Sequence, residues 1–267
     1  MGFSGIARVT FRVLTLAALT GFTVLRLKLG ARLRGSSPHV ATRHGHAWAR
    51  RMLTLLGVEL EVHGSPPPTG PVLLLANHRS YLDIAALLAQ RPCAFLAKQE
   101  IGEWPLFGAA ARETHTVFVK REDKASRRAA RAGALALLQQ GVAFAAFPEG
   151  TTSRGPGALP FFPGLFELAA EHRIPVVPVA IEYANRDDAW VGDDGFVPHF
   201  LGCFRRRRMQ VALAFGPVLH RGDKESLRSE AEAWIRSRLE TLAPRDPLWP
   251  PRELPRASDP AAAPTPA

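Results

Sequence analysis

Short apolar runs of strand length alternate along most of this chain with stretches of helical pattern, and this alternation constrains the fold most. Val72 to Leu75, Ala94 to Ala97, Thr116 to Val119, Val142 to Phe147 and Val176 to Ile181 are such runs. Near-continuous apolar character is the mark of strands buried on both faces. Between them, Leu82 to Gln90, Trp104 to Ala111, Ser126 to Gln140 and Leu165 to His172 read as helices. A strand apolar on both sides needs a layer on each, and crossover helices supply both layers. The expected fold is therefore α/β, a mostly parallel sheet covered by helices. Val58 to Val62 alternates apolar and acidic residues, as an edge strand does, and leads into the loop Pro66-Pro67-Pro68. A late strand near Met209 to Phe215 and a helix from Lys224 to Leu242 complete the body, and 267 residues suffice for one such domain with short appendages.

The amino-terminal region has a different character. Val13 to Leu25 is uncharged and largely apolar, with Arg8 and Arg12 before it and Arg26 and Lys28 after it. A helix of that length spans roughly 20 Å, short of the ~30 Å hydrocarbon core. No small-residue cleavage site follows, so a secretory signal is disfavoured. The expectation is a helix embedded in one leaflet with its cationic side chains at the headgroups; a tilted full span is the competing geometry. Pro38 to Leu56 reads as a second helix, with Trp48, Met52, Leu55 and Leu56 near one face and Arg43, His46, Arg50 and Arg51 elsewhere. That pattern suits an interfacial helix and equally a cationic helix lying on a core.

The net charge of +10, from 34 Lys and Arg against 24 Asp and Glu, suits an anionic partner: a lipid surface, a phosphorylated substrate or nucleic acid. Nucleic acid would need a recognition module, and the sequence carries none. The run Arg205-Arg206-Arg207-Arg208 fits an anionic membrane surface or a solvated loop. Cys93 and Cys203 are isolated, without metal-type spacing, which fits a reducing, cytoplasm-facing site with no metal and no disulfide framework.

Chemistry-bearing residues follow the ends of the apolar runs, where ligands gather in open α/β sheets. His78 and Asp83 come first. On one continuous helix, five residues would turn them roughly 140° apart. They pair if His78 lies in the turn leaving the strand and Asp83 in the first turn of the next helix. A carboxylate so placed fixes the imidazole tautomer and makes it a general base. A helix-capping histidine beside an ordinary first-turn acid is the bland alternative. No Gly-x-Ser-x-Gly elbow occurs and neither cysteine adjoins these segments, so a covalent acyl-enzyme has no evident nucleophile. Arg121 ends Val117-Phe118-Val119-Lys120-Arg121, where a guanidinium can grip a phosphate by paired hydrogen bonds. After Phe147-Pro148, the segment Glu149-Gly150-Thr151-Thr152-Ser153-Arg154 offers amides and hydroxyls for an anion, with Arg154 a second phosphate candidate. A simple turn is equally consistent with its hydroxyls.

Asn77-His78-x4-Asp83, Phe118-Val119-Lys120-Arg121, Phe147-Pro148-Glu149-Gly150-Thr151 and Ile174-Pro175-Val176-Val177-Pro178 resemble, in order, the four motifs of the glycerolipid acyltransferases. Within that family the likeness is to the bacterial 1-acylglycerol-3-phosphate acyltransferases, and it covers Leu53 to Pro217. Lys98-Gln99-Glu100 and Trp104 to Gly108 also look like the family's segment between its first two motifs. The resemblance implies transfer of a fatty acyl group from an acyl-CoA or acyl carrier protein thioester, with no other cofactor, to a lysophospholipid hydroxyl. His78 and Asp83 would be the catalytic pair, Arg121 the phosphate ligand, and Glu149 and Gly150 acceptor-binding. Lys120 departs from the acid or amide that many relatives carry there. The acceptor would be 1-acylglycerol-3-phosphate, giving phosphatidic acid, or another lysolipid such as lyso-ornithine lipid. A non-catalytic basic lipid-surface protein is the other class, and it gives no reason to keep a paired base. The implied division is membrane-anchoring helices over residues 1–56, an acyltransferase α/β domain over 57–244 and a disordered tail over 245–267, with the catalytic domain on the cytoplasmic face of the cytoplasmic membrane.

Overall fold

The structure, a computed structural model, describes residues 3–242 except 68, 193 and 221; the expected tail from 245 lies outside the described residues. Two long helices precede the body, α1 (Phe3–Arg34) and α2 (Pro38–Leu56). The strands are β1 (Val58–His63), β2 (Leu73–Ala76), β3 (Cys93–Lys98), β4 (Val117–Val119), β5 (Ala143–Ala146), β6 (Val176–Tyr183) and β7 (Met209–Phe215). The remaining helices are α3 (Leu82–Gln90), α4 (Phe107–Glu113), α5 (Lys124–Gln139), α6 (Gly164–His172), α7 (Phe196–Arg205) and α8 (Lys224–Leu242).

The strands form one sheet in the order β1-β7-β6-β2-β5-β3-β4. Every neighbouring pair is parallel except β6 and β7. The sheet is mostly parallel and sandwiched by helices. Period-two alternation feeds two cores: Leu74 and Ala76 of β2 face a cluster with α2, α3 and α7, while Leu73 and Leu75 face one with α5, α6 and α8. Each fully buried leucine contributes about 2 kcal/mol of apolar burial. Because β2, β3, β4, β5 and β6 run the same way, the loops leaving their carboxyl ends gather on one rim.

Three local readings change. The apolar run Val13 to Leu25 is only the middle of α1, whose 32 residues span about 48 Å. Arg and Lys are good helix formers, so the flanking charges mark where polarity returns rather than where the helix stops. The stretch Trp104 to Ala111 is not one helix: a 3-10 turn (Gln99–Glu103) comes first, and α4 starts only after Pro105, which disfavours helical backbone in the residue before it. Helix α7 was not legible, because Pro198 and Gly202 obscure its periodicity; Pro198 sits in the first turn, where a missing N–H costs nothing.

Helix α2 closes on Gly57, whose φ of 70° is the left-handed conformation that ends helices. Its Ala49, Met52, Leu53 and Leu56 are buried in the core beside α3. Helix α1 packs along α2, α4 and α7. Arg12 donates to the carbonyls of Phe204 and Arg206 at the end of α7, satisfying orphan acceptors there. Midway along α1, Thr20 accepts from Trp48 Nε1 at 2.9 Å. The opposite face of α1 stays bare, with Phe11, Leu14, Phe22, Leu25, Leu29 and Leu33 all more than half exposed.

Candidate active site

Strand β2 ends at Ala76, and the chain turns through Asn77 to Tyr81 before α3 begins. His78 lies in that turn and Asp83 in the first turn of α3, which brings Nδ1 to 2.8 Å from Asp83 Oδ2. A carboxylate only accepts, so the Nδ1 proton points at Asp83 and the lone pair is on Nε2. Asp83 is fully buried and receives four donors: His78 Nδ1, the amides of Arg79 (2.6 Å) and Ser80 (2.9 Å), and the Tyr183 hydroxyl (2.6 Å). Phe147 at the end of β5 stacks on the imidazole, 3.8 Å between centroids and 9° between planes. The ring is held edge and face.

The loop around this pair is fastened by residues to which the sequence reading gave no role in holding it. Asn77 continues the sheet where β2 stops, its side-chain amide exchanging two 2.8 Å bonds with the backbone of Ile181. Without it, the β6 edge would bury unpaired peptide groups. Arg79 is fully buried and meets Glu182 through two bonds, Nε at 3.2 Å and Nη2 at 2.9 Å. Its remaining donors reach Ser153 Oγ (2.7 Å) and the Gly157 carbonyl (2.9 Å), tying the first polar loop to the second. The Ser153 amide also donates to the His78 carbonyl at 2.9 Å.

Glu149 does not face open space. It is buried, accepts from the His78 amide at 3.3 Å and lies 3.5 Å from Ser153 Oγ. Burial pushes its carboxyl up to about 8, against the opposing pull of Arg79 and of the amides of His78 and Leu159. This geometry lets Glu149 orient the His78 amide, and Arg121 is not among its partners. Gly150 has φ 73°, and an added Cβ would approach Phe162 to 2.6 Å. Only glycine fits that corner. Arg154 is half exposed and paired with Asp194 at 2.7 Å, so its guanidinium is engaged across the surface.

A cavity of about 390 Å³ runs from His78, Arg121, Gly150, Thr151 and Thr152 between α3 and α4 to Thr20, Val24 and Trp48 on the amino-terminal helices. Its walls are mostly apolar and include Ile84, Leu88, Trp104, Phe107 and Phe200. Arg121 is partly buried there, and among the described residues its guanidinium has no carboxylate within ion-pair distance. Burial lowers its pKa, with Glu122 and Glu100 offsetting in part. Lys98 lines the same space. Cys93 also reaches the wall, but burial pushes its thiol up, leaving it a poor nucleophile. The site therefore presents an oriented base, a cation and an apolar slot in one continuous space. No group of His, Cys, Asp or Glu suited to a metal occurs among the described residues.

Sequence reasoning missed Arg79, Glu182 and Tyr183, and it named Asn77 and Ser153 without their part in fastening the loop. A charged residue embedded at position 79 among buried-looking neighbours was the one available signal, since buried arginine demands a carboxylate. Its partner lies 103 residues away, and nothing local marks Glu182 or Tyr183.

Residues 59–182 match the family model described as Acyltransferase. A lyso-ornithine lipid O-acyltransferase of Rhizobium meliloti is 34% identical over 214 residues, covering 73% of each chain. A 1-acyl-sn-glycerol-3-phosphate acyltransferase of Neisseria gonorrhoeae is 38% identical over 173 residues, 63% of this chain and 68% of that one. The crystal structure of the 1-acyl-sn-glycerophosphate acyltransferase of Thermotoga maritima shares the fold, with a TM-score of 0.61 at 23% identity over 88% of this chain and 97% of that one. On the extent of these matches, the chain belongs to the glycerolipid acyltransferase family and is an acyltransferase.

Proposed function

We propose that this protein transfers a fatty acyl group from acyl-CoA or acyl carrier protein to the free hydroxyl of 1-acyl-sn-glycerol-3-phosphate, forming phosphatidic acid. The observation that carries this reading is the single cavity joining His78, the cation of Arg121 and an apolar slot. His78 Nε2 takes the hydroxyl proton as that oxygen attacks the thioester carbonyl. The carbon–sulfur bond then breaks, and the proton passes to the departing thiolate, so no acyl-enzyme forms. Asp83 stabilises the intervening imidazolium. Arg121 suits an anionic headgroup, because a partly buried cation gains most from a ligand of opposite charge, and the exposed Lys98 adds positive charge to the same wall. Thr151 stands on the same wall, while Glu149 and Gly150 shape the loop that carries it.

The Rhizobium meliloti relative supports a second acceptor, lyso-ornithine lipid, whose headgroup also offers an anion to Arg121. A mass-spectrometric assay with purified protein, both thioester donors and a panel of lysolipids tests both. Preference for the glycerophosphate supports the first reading, preference for lyso-ornithine lipid the second, and turnover of neither overturns both.

The protein works at the cytoplasmic face of the cytoplasmic membrane, where its donors are found. Helix α1 is the one described helix long and apolar enough to cross a bilayer. Yet Arg8 and Arg12 near its start, Thr20 at its middle and buried Leu27 further on are all fastened to the body. These attachments favour a helix lying along the body over one that leaves it to span, and its bare apolar stripe fits burial in one leaflet.

A further inference from the structure

We infer that the end of β6, Ile181-Glu182-Tyr183, is a positioning element for the catalytic loop, and that Tyr183 is the residue through which it sets the basicity and aim of His78. Strand β6 runs past its neighbour: β2 stops at Ala76, opposite Val179, and the next β6 residues project beside the loop. Three successive residues there take three different partners. The Ile181 backbone holds the Asn77 amide, Glu182 holds the Arg79 guanidinium, and Tyr183 donates its hydroxyl to Asp83 Oδ1 at 2.6 Å. Side chains alternate across a strand, so Glu182 and Tyr183 grip the loop from opposite faces of the sheet.

Tyr183 has no other hydroxyl partner among the described residues, and it is as deeply buried as Asp83. A phenol buried only for packing would be better served by phenylalanine, since an unneeded hydroxyl must be desolvated. Its bond falls on the carboxylate oxygen that His78 does not use, Oδ1 against Oδ2. The hydroxyl therefore withdraws charge from one end of the carboxylate while the imidazole leans on the other, and it keeps Asp83 from rotating.

The inference rests on the general-base reading of His78, and its test separates the two. In Tyr183→Phe, kcat should fall about tenfold with both KM values held within about twofold, since one hydrogen bond is removed and no substrate contact is. The carboxylate, relieved of the phenol, bears more fully on His78, so the acid limb of the kcat/KM profile should move to higher pH. Acting through Asp83, the change should cost little more when added to Asp83→Asn. A folded Tyr183→Phe with unaltered kcat and profile, or losses that multiply independently, would overturn the inference. Should that variant not fold, 3-fluorotyrosine incorporation offers a second route, because Tyr81 and Tyr183 are the only tyrosines in the chain. Compared within a Tyr81→Phe background, the stronger donor should shift the acid limb downward; no shift counts against the role. The downfield N–H proton resonance of His78, which needs no turnover, should also move in Tyr183→Phe. Wild-type protein inactive on every lysolipid would instead remove the functional reading, leaving that resonance to judge the positioning.

Discussion

His78 is 17% exposed at its side chain while Asp83 is fully buried, so the pair has one member open to the cavity and one locked in protein. Replacing His78 with alanine should lower thioester turnover by about 10²- to 10⁴-fold, the usual contribution of a general base, while circular dichroism and melting stay near wild type. Retained turnover would remove the base. Arg121 has a different signature. Its removal in Arg121→Ala should raise the acceptor KM by about tenfold or more and leave the donor KM alone, because a charge-assisted contact contributes about 1.5–3 kcal/mol. Steady-state kinetics with each substrate varied in turn would check this, and an unchanged acceptor KM would take the phosphate from Arg121. Both residues stood out in sequence because each follows an apolar run. Arg154 stood out equally, and its ion pair with Asp194 could not be foreseen, since the two lie forty residues apart with α6 and β6 between them.

Among the elements, α1 and α2 divide what sequence had grouped together. Helix α2 buries one face against α3 and belongs energetically to the body, whereas α1 keeps a stripe of large apolar side chains bare. The middle of α1 is apolar nearly all round while α2 has one apolar face, and packing decided which side chains each leaves bare. Burying the α1 stripe in a leaflet predicts that Phe22→Glu with Leu25→Glu abolishes flotation with anionic vesicles yet leaves turnover of detergent-dispersed substrate within about threefold, since both side chains point away from the body. Unimpaired flotation would assign membrane contact elsewhere. The four-arginine run is less available for lipid than its sequence suggests: Arg206 pairs with buried Asp188 at 2.7 Å and Arg208 with Glu59 at 3.0 Å. Helix α7 itself brings Phe196 and Phe200 to the cavity wall, and it was hidden by its own proline and glycine.

For the molecule as a whole, the buried carboxyl of Glu149 links stability to pH. Its folded value of about 8 lies above its ordinary 4.5, so across that interval the folded state holds a proton that the unfolded chain has released. Stability should therefore fall as pH rises from about 4.5 to about 8 and level off beyond. Urea melts of wild type and Glu149→Gln would show it: the glutamine variant should have the flatter profile, and parallel profiles would mean that Glu149 is ionised throughout. The sequence by itself determined the parallel sheet, because near-continuous apolar runs separated by helical segments have few other ways to cover both faces. It also marked the polar loops that leave the strands, which the parallel sheet gathers on one rim. Only the tertiary structure decided how those residues are held. The Asp83–Tyr183 and Arg79–Glu182 contacts close over separations of 100 and 103 residues, and local pattern encodes which side chains are buried but not which distant buried groups will satisfy one another.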